Sequence, residues 1–276
     1  MNIGIVGLGL IGGSLAKAIK GHTDHTIFGY DNKDSVLLKA QMFGVIDGEL
    51  TEENLGGCDL VMLALYPADT INYVQKHAAL FRKGGTVLDC CGVKTPVCAP
   101  LFETAKQYDF HFVGGHPMAG LEVSGFDYSQ GALFDCASML LVPGPDADIA
   151  GLHLLKELFL KIGFSRVQLT TAEEHDQIIA CTSQLAHIVS NAYVKAPLAV
   201  RHEGFSAGSF KDMTRVAKLN VPMWAELFLD NRENLIAEIE GLTQRLDAYC
   251  ETLRREDREG LSQLLAEGNA IKLGLE

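Results

Sequence analysis

From residue 2 to residue 169, short apolar runs alternate with segments whose apolar residues recur every three to four positions; beyond Thr171 only the second pattern continues. The runs predict strands at residues 2–6, 25–30, 59–65, 86–90, 110–114, 138–142 and 166–169. Leu60-Val61-Met62-Leu63-Ala64-Leu65 has no polar face, which marks a strand covered on both sides. Helical spacing fills the intervals, first around Leu15, Ala16, Ala18 and Ile19, then over 35–43, 67–81, 96–107 and 149–162. This β–α alternation predicts a doubly wound, mostly parallel α/β sheet with ligands beyond the carboxyl ends of its strands. After residue 170 the spacing predicts a helix over 172–198, a Gly- and Ser-rich loop near 204–209, and long amphipathic segments over 223–254 and 257–273. The expected division is an α/β domain over 1–170 and an all-helical domain over 171–276, whose apolar stripes suit dimerisation.

The first strand runs directly into Gly7-Leu8-Gly9-Leu10-Ile11-Gly12. A dinucleotide needs this arrangement. Gly7 makes the tight turn and Gly9 lets a pyrophosphate approach the backbone. Leu10 and Ile11 open a helix whose N-terminus faces the phosphates, and Gly12 lets helix and strand pack closely. With 28 glycines in the chain such a pattern arises by chance, so its context matters. The motif follows a strand, a second strand comes next, and Asp31 ends that strand about 20 residues on. A carboxylate there accepts hydrogen bonds from the ribose hydroxyl of NAD and repels the 2′-phosphate of NADP, so NAD is the expected cofactor, with Lys33 near enough to soften the preference.

Charge and cysteine content narrow the partners. A net charge of −12 argues against nucleic acid or an anionic membrane, and an anionic substrate must then be held by local cations. The chain enters a core strand at once, with no leader or spanning run, and its seven cysteines, odd in number and without CxxC spacing, read as thiols in apolar settings and not as disulfides or a metal site. A reducing cytoplasm is the expected compartment, and no metal site is expected.

Three groups of polar residues look chemical. On the helix after Thr171, His175, Ser183 and His187 fall within an arc of about 120° at α-helical pitch, with Ser183 and His187 at i and i+4. Lys211 and Arg215 share a helical face, where Arg215 could grip a carboxylate with its bidentate fork or simply pair with Asp212. His116 sits just past a predicted strand end between Gly115 and Pro117, where the nicotinamide of a bound NAD would lie. A neutral imidazole there could accept the hydroxyl proton of a substrate that gives up hydride.

Together, Gly7 to Ser14, the loop His116-Pro117-Met118-Ala119-Gly120, His175-Asp176 with Ser183 and His187, and Phe210-Lys211-Asp212 with Thr214, Arg215 and Trp224 resemble the prephenate dehydrogenase family. The resemblance implies a Rossmann-type domain followed by a helical dimerisation domain, a homodimer, and NAD-dependent oxidative decarboxylation of prephenate to 4-hydroxyphenylpyruvate in tyrosine biosynthesis. It implies that His116 accepts the C4 hydroxyl proton, that Arg215 binds a substrate carboxylate, and that His175, Ser183 and His187 shape the substrate pocket. One departure is Gly92 before Val93-Lys94, where many members carry a serine; Lys94 itself is either an electrostatic contributor or a structural cation. The nearest alternative substrate is arogenate, whose ammonium needs an acidic partner, and the neutral Gln184 favours the keto acid. A β-hydroxyacid dehydrogenase would rely on a lysine in the long helix, and 172–191 contains none. From another class, a non-catalytic NAD-sensing protein would keep the cofactor site alone. With the sequence closing at Glu276, any feedback by tyrosine is expected to act at the active site.

Overall fold

The computed structural model describes residues 1–275. The chain begins β1 (Asn2–Val6), α1 (Leu10–His22), β2 (Thr26–Tyr30), α2 (Asp34–Met42), β3 (Gly48–Glu49), α3 (Glu52–Leu55), β4 (Leu60–Leu63) and α4 (Pro67–His77). It continues β5 (Thr86–Asp89), α5 (Thr95–Tyr108), β6 (His111–Pro117), β7 (Ser138–Pro143), α6 (Ile149–Lys161) and β8 (Arg166–Leu169). The eight strands form one sheet in the order β3-β2-β1-β4-β5-β6-β7-β8, parallel throughout except where β6 meets β7. The order reverses beside β1, so the crevice at its carboxyl end is the place for a ligand.

Strand period divides the core. Leu60 and Met62 point to the face covered by α1 and α6, where they pack with Ile3, Ile5, Leu15, Ile19 and Phe159. Val61 and Leu63 point to the opposite face and pack with Val74, Val97 and Leu101 from α4 and α5. Each fully buried side chain of this size contributes about 1.5–3 kcal/mol, which is why these strands carry no polar alternation.

Two differences from the sequence expectation bear on function. β6 runs on to Pro117, so His116 lies within a strand and not past its end. The reason is non-local: β7 pairs antiparallel along Gly114 to Pro117, with His116 opposite Leu140, and this extends the strand. The two-residue edge strand β3, paired with Phe28 and Gly29, was hidden in a Gly- and Asp-rich connection.

Beyond β8 the described chain is helical: α7 (Ala172–Ile179), a π-helical turn (Ala180–Gln184), α8 (Leu185–Tyr193), α9 (Gly208–Thr214), α10 (Val221–Asp230), α11 (Arg232–Arg254) and α12 (Arg258–Gly274). The segment expected to be one helix over 172–198 is therefore widened at its middle and ends early. The segment expected over 223–254 breaks at Asn231, whose buried amide donates to the Asp176 carbonyl (2.8 Å) and to Gln184 Oε1 (2.8 Å). Glu276, the last residue of the expected helical domain, lies outside the described residues. Among the described residues no helix is long and apolar enough to cross a membrane.

Candidate active site

The β1–α1 turn has the shape a pyrophosphate requires. Gly7 has φ +84°, and a Cβ there would meet Ala64 O at 2.6 Å. On Gly12 a Cβ would lie 1.9 Å from Gly7 O, so neither position accepts a side chain. Gly9, which precedes the first turn of α1, faces open space, and the first turn carries no acidic residue. The unsatisfied N–H groups of that turn point into the opening. Asp31, just past β2, accepts hydrogen bonds from the backbone N–H of Leu8 (2.9 Å) and Lys33 (3.0 Å). Its carboxylate is thereby fixed at the mouth of the turn, with lone pairs left for ribose hydroxyls. These residues fit a dinucleotide.

At the far side of the crevice, His116 on β6 brings its Nδ1 to 2.9 Å from Nε2 of His175, the fourth residue of α7. His175 Nδ1 in turn lies 2.7 Å from Asp176 Oδ1. Asp176 also accepts the N–H groups of Lys94 (2.8 Å) and Thr95 (2.8 Å), which stand at the N-terminus of α5 with no side-chain cap of their own. A helical-domain carboxylate thus caps a helix of the sheet domain. The side chain of His175, which the resemblance assigns to the substrate pocket, is fully buried between His116 and Asp176.

Burial lowers the His116 pKa well below the usual imidazole value, helped by neighbouring His175 and Lys94 and opposed by Asp176. His175 is lowered by burial, which outweighs the Asp176 hydrogen bond. Burial alone would raise Asp176, but the hydrogen bonds from His175, Thr95 and Lys94 hold it below the ordinary carboxylate value. Behind them, Lys94 is wholly buried, pairs with the equally buried Asp89, and donates to Gly115 O (2.6 Å). Asp89 accepts the N–H groups of Gly115 (3.1 Å) and Cys91 (2.8 Å). Lys94 therefore ties the ends of β5 and β6 together and acts on the site only through its field.

The helical domain closes the crevice. On α10, Glu226 Oε1 accepts the Ala68 N–H at the start of α4 (2.9 Å), and the Leu227 side chain covers Gly92. His187 on α8 donates from Nδ1 to Ser183 O (2.8 Å) and packs against Trp224 with ring centroids 4.1 Å apart and planes tilted by 33°. Arg215, just past α9, reaches across to Glu122 in the loop after β6 (Nη1 to Oε1, 2.9 Å). Both side chains are more than half exposed or nearly so (68% and 50%), so the pair is open to exchange with a ligand carboxylate.

His116 and His175 are in direct contact, Ser183 and His187 share one turn, and Arg215 meets Glu122; the structure gives no direct contact between these three groups. Sequence reasoning missed Asp176 as a partner of His175, Glu122 beside Arg215, and Trp224 as the ring under His187. Gln184, whose neutrality favours the keto acid in the sequence, is buried (1% exposed) and spent on Asn231 and Leu227 O, so that neutrality says nothing about the substrate. An adjacent His-Asp pair opening a helix was the one available signal for the first of these.

Two family models match the chain: prephenate dehydrogenase, nucleotide-binding domain, over residues 15–168, and prephenate dehydrogenase, dimerization domain, over residues 171–267. The prephenate dehydrogenase of Bacillus subtilis (strain 168) is 29% identical over 283 residues, which cover 98% of this chain and 75% of the relative. A crystal structure of prephenate dehydrogenase from A. aeolicus, in complex with hydroxyphenyl propionate and NAD+, superposes with a TM-score of 0.89 at 31% identity, covering 100% of this chain and 98% of that one. The Synechocystis arogenate dehydrogenase structure follows with a TM-score of 0.85 at 25% identity, covering 100% of both chains. With both halves of its length matched and its crevice built for a dinucleotide, the chain belongs to the prephenate dehydrogenase family.

Proposed function

We infer that this protein is an NAD-dependent oxidoreductase that oxidises prephenate with loss of its ring carboxylate, giving 4-hydroxyphenylpyruvate for tyrosine biosynthesis. The observation that carries the reading is His116, a half-buried imidazole at the carboxyl end of the sheet whose Nδ1 is occupied by His175, leaving Nε2 for a substrate. Bound NAD supplies the hydride acceptor, and Gly7, Gly9, Leu10, Ile11, Gly12 and Asp31 hold it. His116 Nε2 accepts the C4 hydroxyl proton as hydride leaves C4 and carbon dioxide leaves C1. Aromatisation of the ring drives the step, so the protein's task is to position its ligands and hold one proton. Arg215 takes a substrate carboxylate, exchanging Glu122 for it, and Ser183, His187 and Trp224 form the pocket wall.

The domain division at residue 170 is supported by the end of the sheet at Leu169 and by the separate family matches on either side. A homodimer through the helical half is supported by the matched dimerization domain and by apolar side chains left exposed on α11 and α12, Leu253 and Leu265 among them. A cytoplasmic setting is supported by seven cysteines that are all free.

Arogenate is the second reading, and Glu122 favours it: a carboxylate beside Arg215 can pair with the ammonium that distinguishes arogenate from prephenate. The test is formation of reduced cofactor with prephenate and with arogenate, each with NAD and NADP, for the wild type and His116→Asn. Turnover with prephenate and NAD that collapses in the variant supports the first reading; preference for arogenate supports the second. No turnover with either, combined with tight NAD binding, would return the chain to a non-catalytic NAD sensor.

A further inference from the structure

We propose that His175 and Asp176 are positioning residues that fix the tautomer of His116 and share the positive charge it acquires when it takes a proton from the substrate. The proposal rests on His116 being the proton acceptor, and its logic is a chain of obligatory donors and acceptors. An ionised carboxylate only accepts, and Asp176 is already accepting from two backbone N–H groups, so the contact at 2.7 Å makes His175 Nδ1 a donor. The other nitrogen of a neutral His175 is then a bare acceptor. At 2.9 Å from it, His116 Nδ1 must carry the hydrogen. His116 Nε2 is left without one, which is the form a base requires.

The geometry also distributes charge. When Nε2 of His116 is protonated, the new cation lies two hydrogen bonds from the Asp176 carboxylate, along a path shielded from water by the full burial of His175. No atom other than the substrate's proton changes place. The other charged groups facing this ring are Lys94 and Asp89, which compensate each other as a buried pair at the ends of β5 and β6. Asp176 is therefore the anion free to answer the proton. Because it also caps α5, the relative placement of sheet and helical domains sets the orientation of the base.

A purely structural role is the competing account: Asp176 would only cap α5 and His175 would only fill space. Three variants separate the two. His175→Gln can place an amide oxygen where Nε2 stands, and should retain kcat within about tenfold. His175→Phe fills the space without accepting, and Asp176→Asn presents an N–H₂ group that turns His175 to the opposite tautomer. Both should lose about 10²- to 10⁴-fold in kcat, the range for a mispositioned base and for loss of the carboxylate behind a catalytic histidine. KM and the NAD dissociation constant should change little, since neither residue touches the ligands. In Asp176→Asn the acid limb of the kcat profile should move to lower pH, because burial and Lys94 still oppose the imidazolium and the carboxylate no longer favours it.

A readout independent of turnover is the ¹⁵N spectrum of histidine-labelled protein. Wild-type His116 should carry its hydrogen on Nδ1, and Asp176→Asn should move it to Nε2. Equal losses for His175→Gln and His175→Phe with an unmoved pH midpoint would overturn the proposal, as would a wild-type His116 protonated on Nε2. If the wild type turned over neither cyclohexadienyl acid, the enzyme reading would fail, and the spectrum would still decide the tautomer.

Discussion

His116 and His175 are kept neutral by burial, which ties stability to pH with a definite sign. In the unfolded chain both take a proton near pH 6.5, whereas in the folded protein both pKa values lie lower. Below about pH 6.5 the unfolded state binds more protons, so stability is fully present above that value and is lost as pH falls toward the folded pKa values. Melting temperature followed from about pH 8 to about pH 5 should decline on the acid side, and less steeply in His116→Asn. Arg215→Ala removes charge-assisted hydrogen bonds worth about 1.5–3 kcal/mol, so KM for the carboxylate substrate should rise about 10- to 100-fold with NAD affinity unchanged. Glu122→Gln should lower KM for prephenate by freeing the Arg215 fork and raise it for arogenate by removing the partner of its ammonium. Steady-state kinetics with both substrates check the pair, and an unchanged KM in Arg215→Ala would remove that residue from the site.

At the scale of elements, the π turn at Ala180–Gln184 determines which side chains share a face. A turn closed by i→i+5 bonds holds one residue more than an α turn, so everything after it is carried back by about 100°. His187, at about 120° from His175 on an ideal helix, returns to about 20°. Deleting Thr182 should restore a regular helix and leave His187, then eleven positions from His175, still at about 20° and against Trp224, so the variant should keep substrate turnover as well as NAD binding by fluorescence titration. The turn also explains what the sequence could and could not reveal. Ala180-Cys181-Thr182-Ser183-Gln184 is ordinary helical composition, and the widening is set by tertiary contacts, with Gln184 held by Asn231 and Leu227 O. The glycine turn before α1 was legible because Gly7 and Gly12 answer backbone demands that no other residue meets. His116 was legible as a residue and not as a strand position, because the pairing with β7 comes from 20 or more positions away in the chain. Asp176 and Glu122 escaped notice because each acts on a group brought to it by the fold.

For the whole molecule, the helical half is apolar in the wrong place for a lone chain. α12 buries none of its residues, while Leu265, Ile271 and Leu273 along it are more than half exposed, as are Leu246 and Leu253 on α11. A 17-residue helix with no buried side chain has little to hold it, since most helical stability in proteins comes from packing an amphipathic face. A second copy supplies that face, and obligate interfaces of this kind resemble a domain core cut in half. The expected outcome is a dimer by light scattering whose melting temperature rises with protein concentration, as linkage between folding and association requires. Leu253→Glu and Leu265→Glu each place a charge in that interface and should yield monomer with a lower, concentration-independent melting temperature. The consequence for the site follows from Asp176. α7 packs against α11 and its carboxylate holds the N-terminus of α5, so loosening the helical half should also loosen the Asp176–His175–His116 chain. Those monomeric variants should therefore lose kcat more than NAD affinity; a fully active monomer would show that the crevice is completed within one chain.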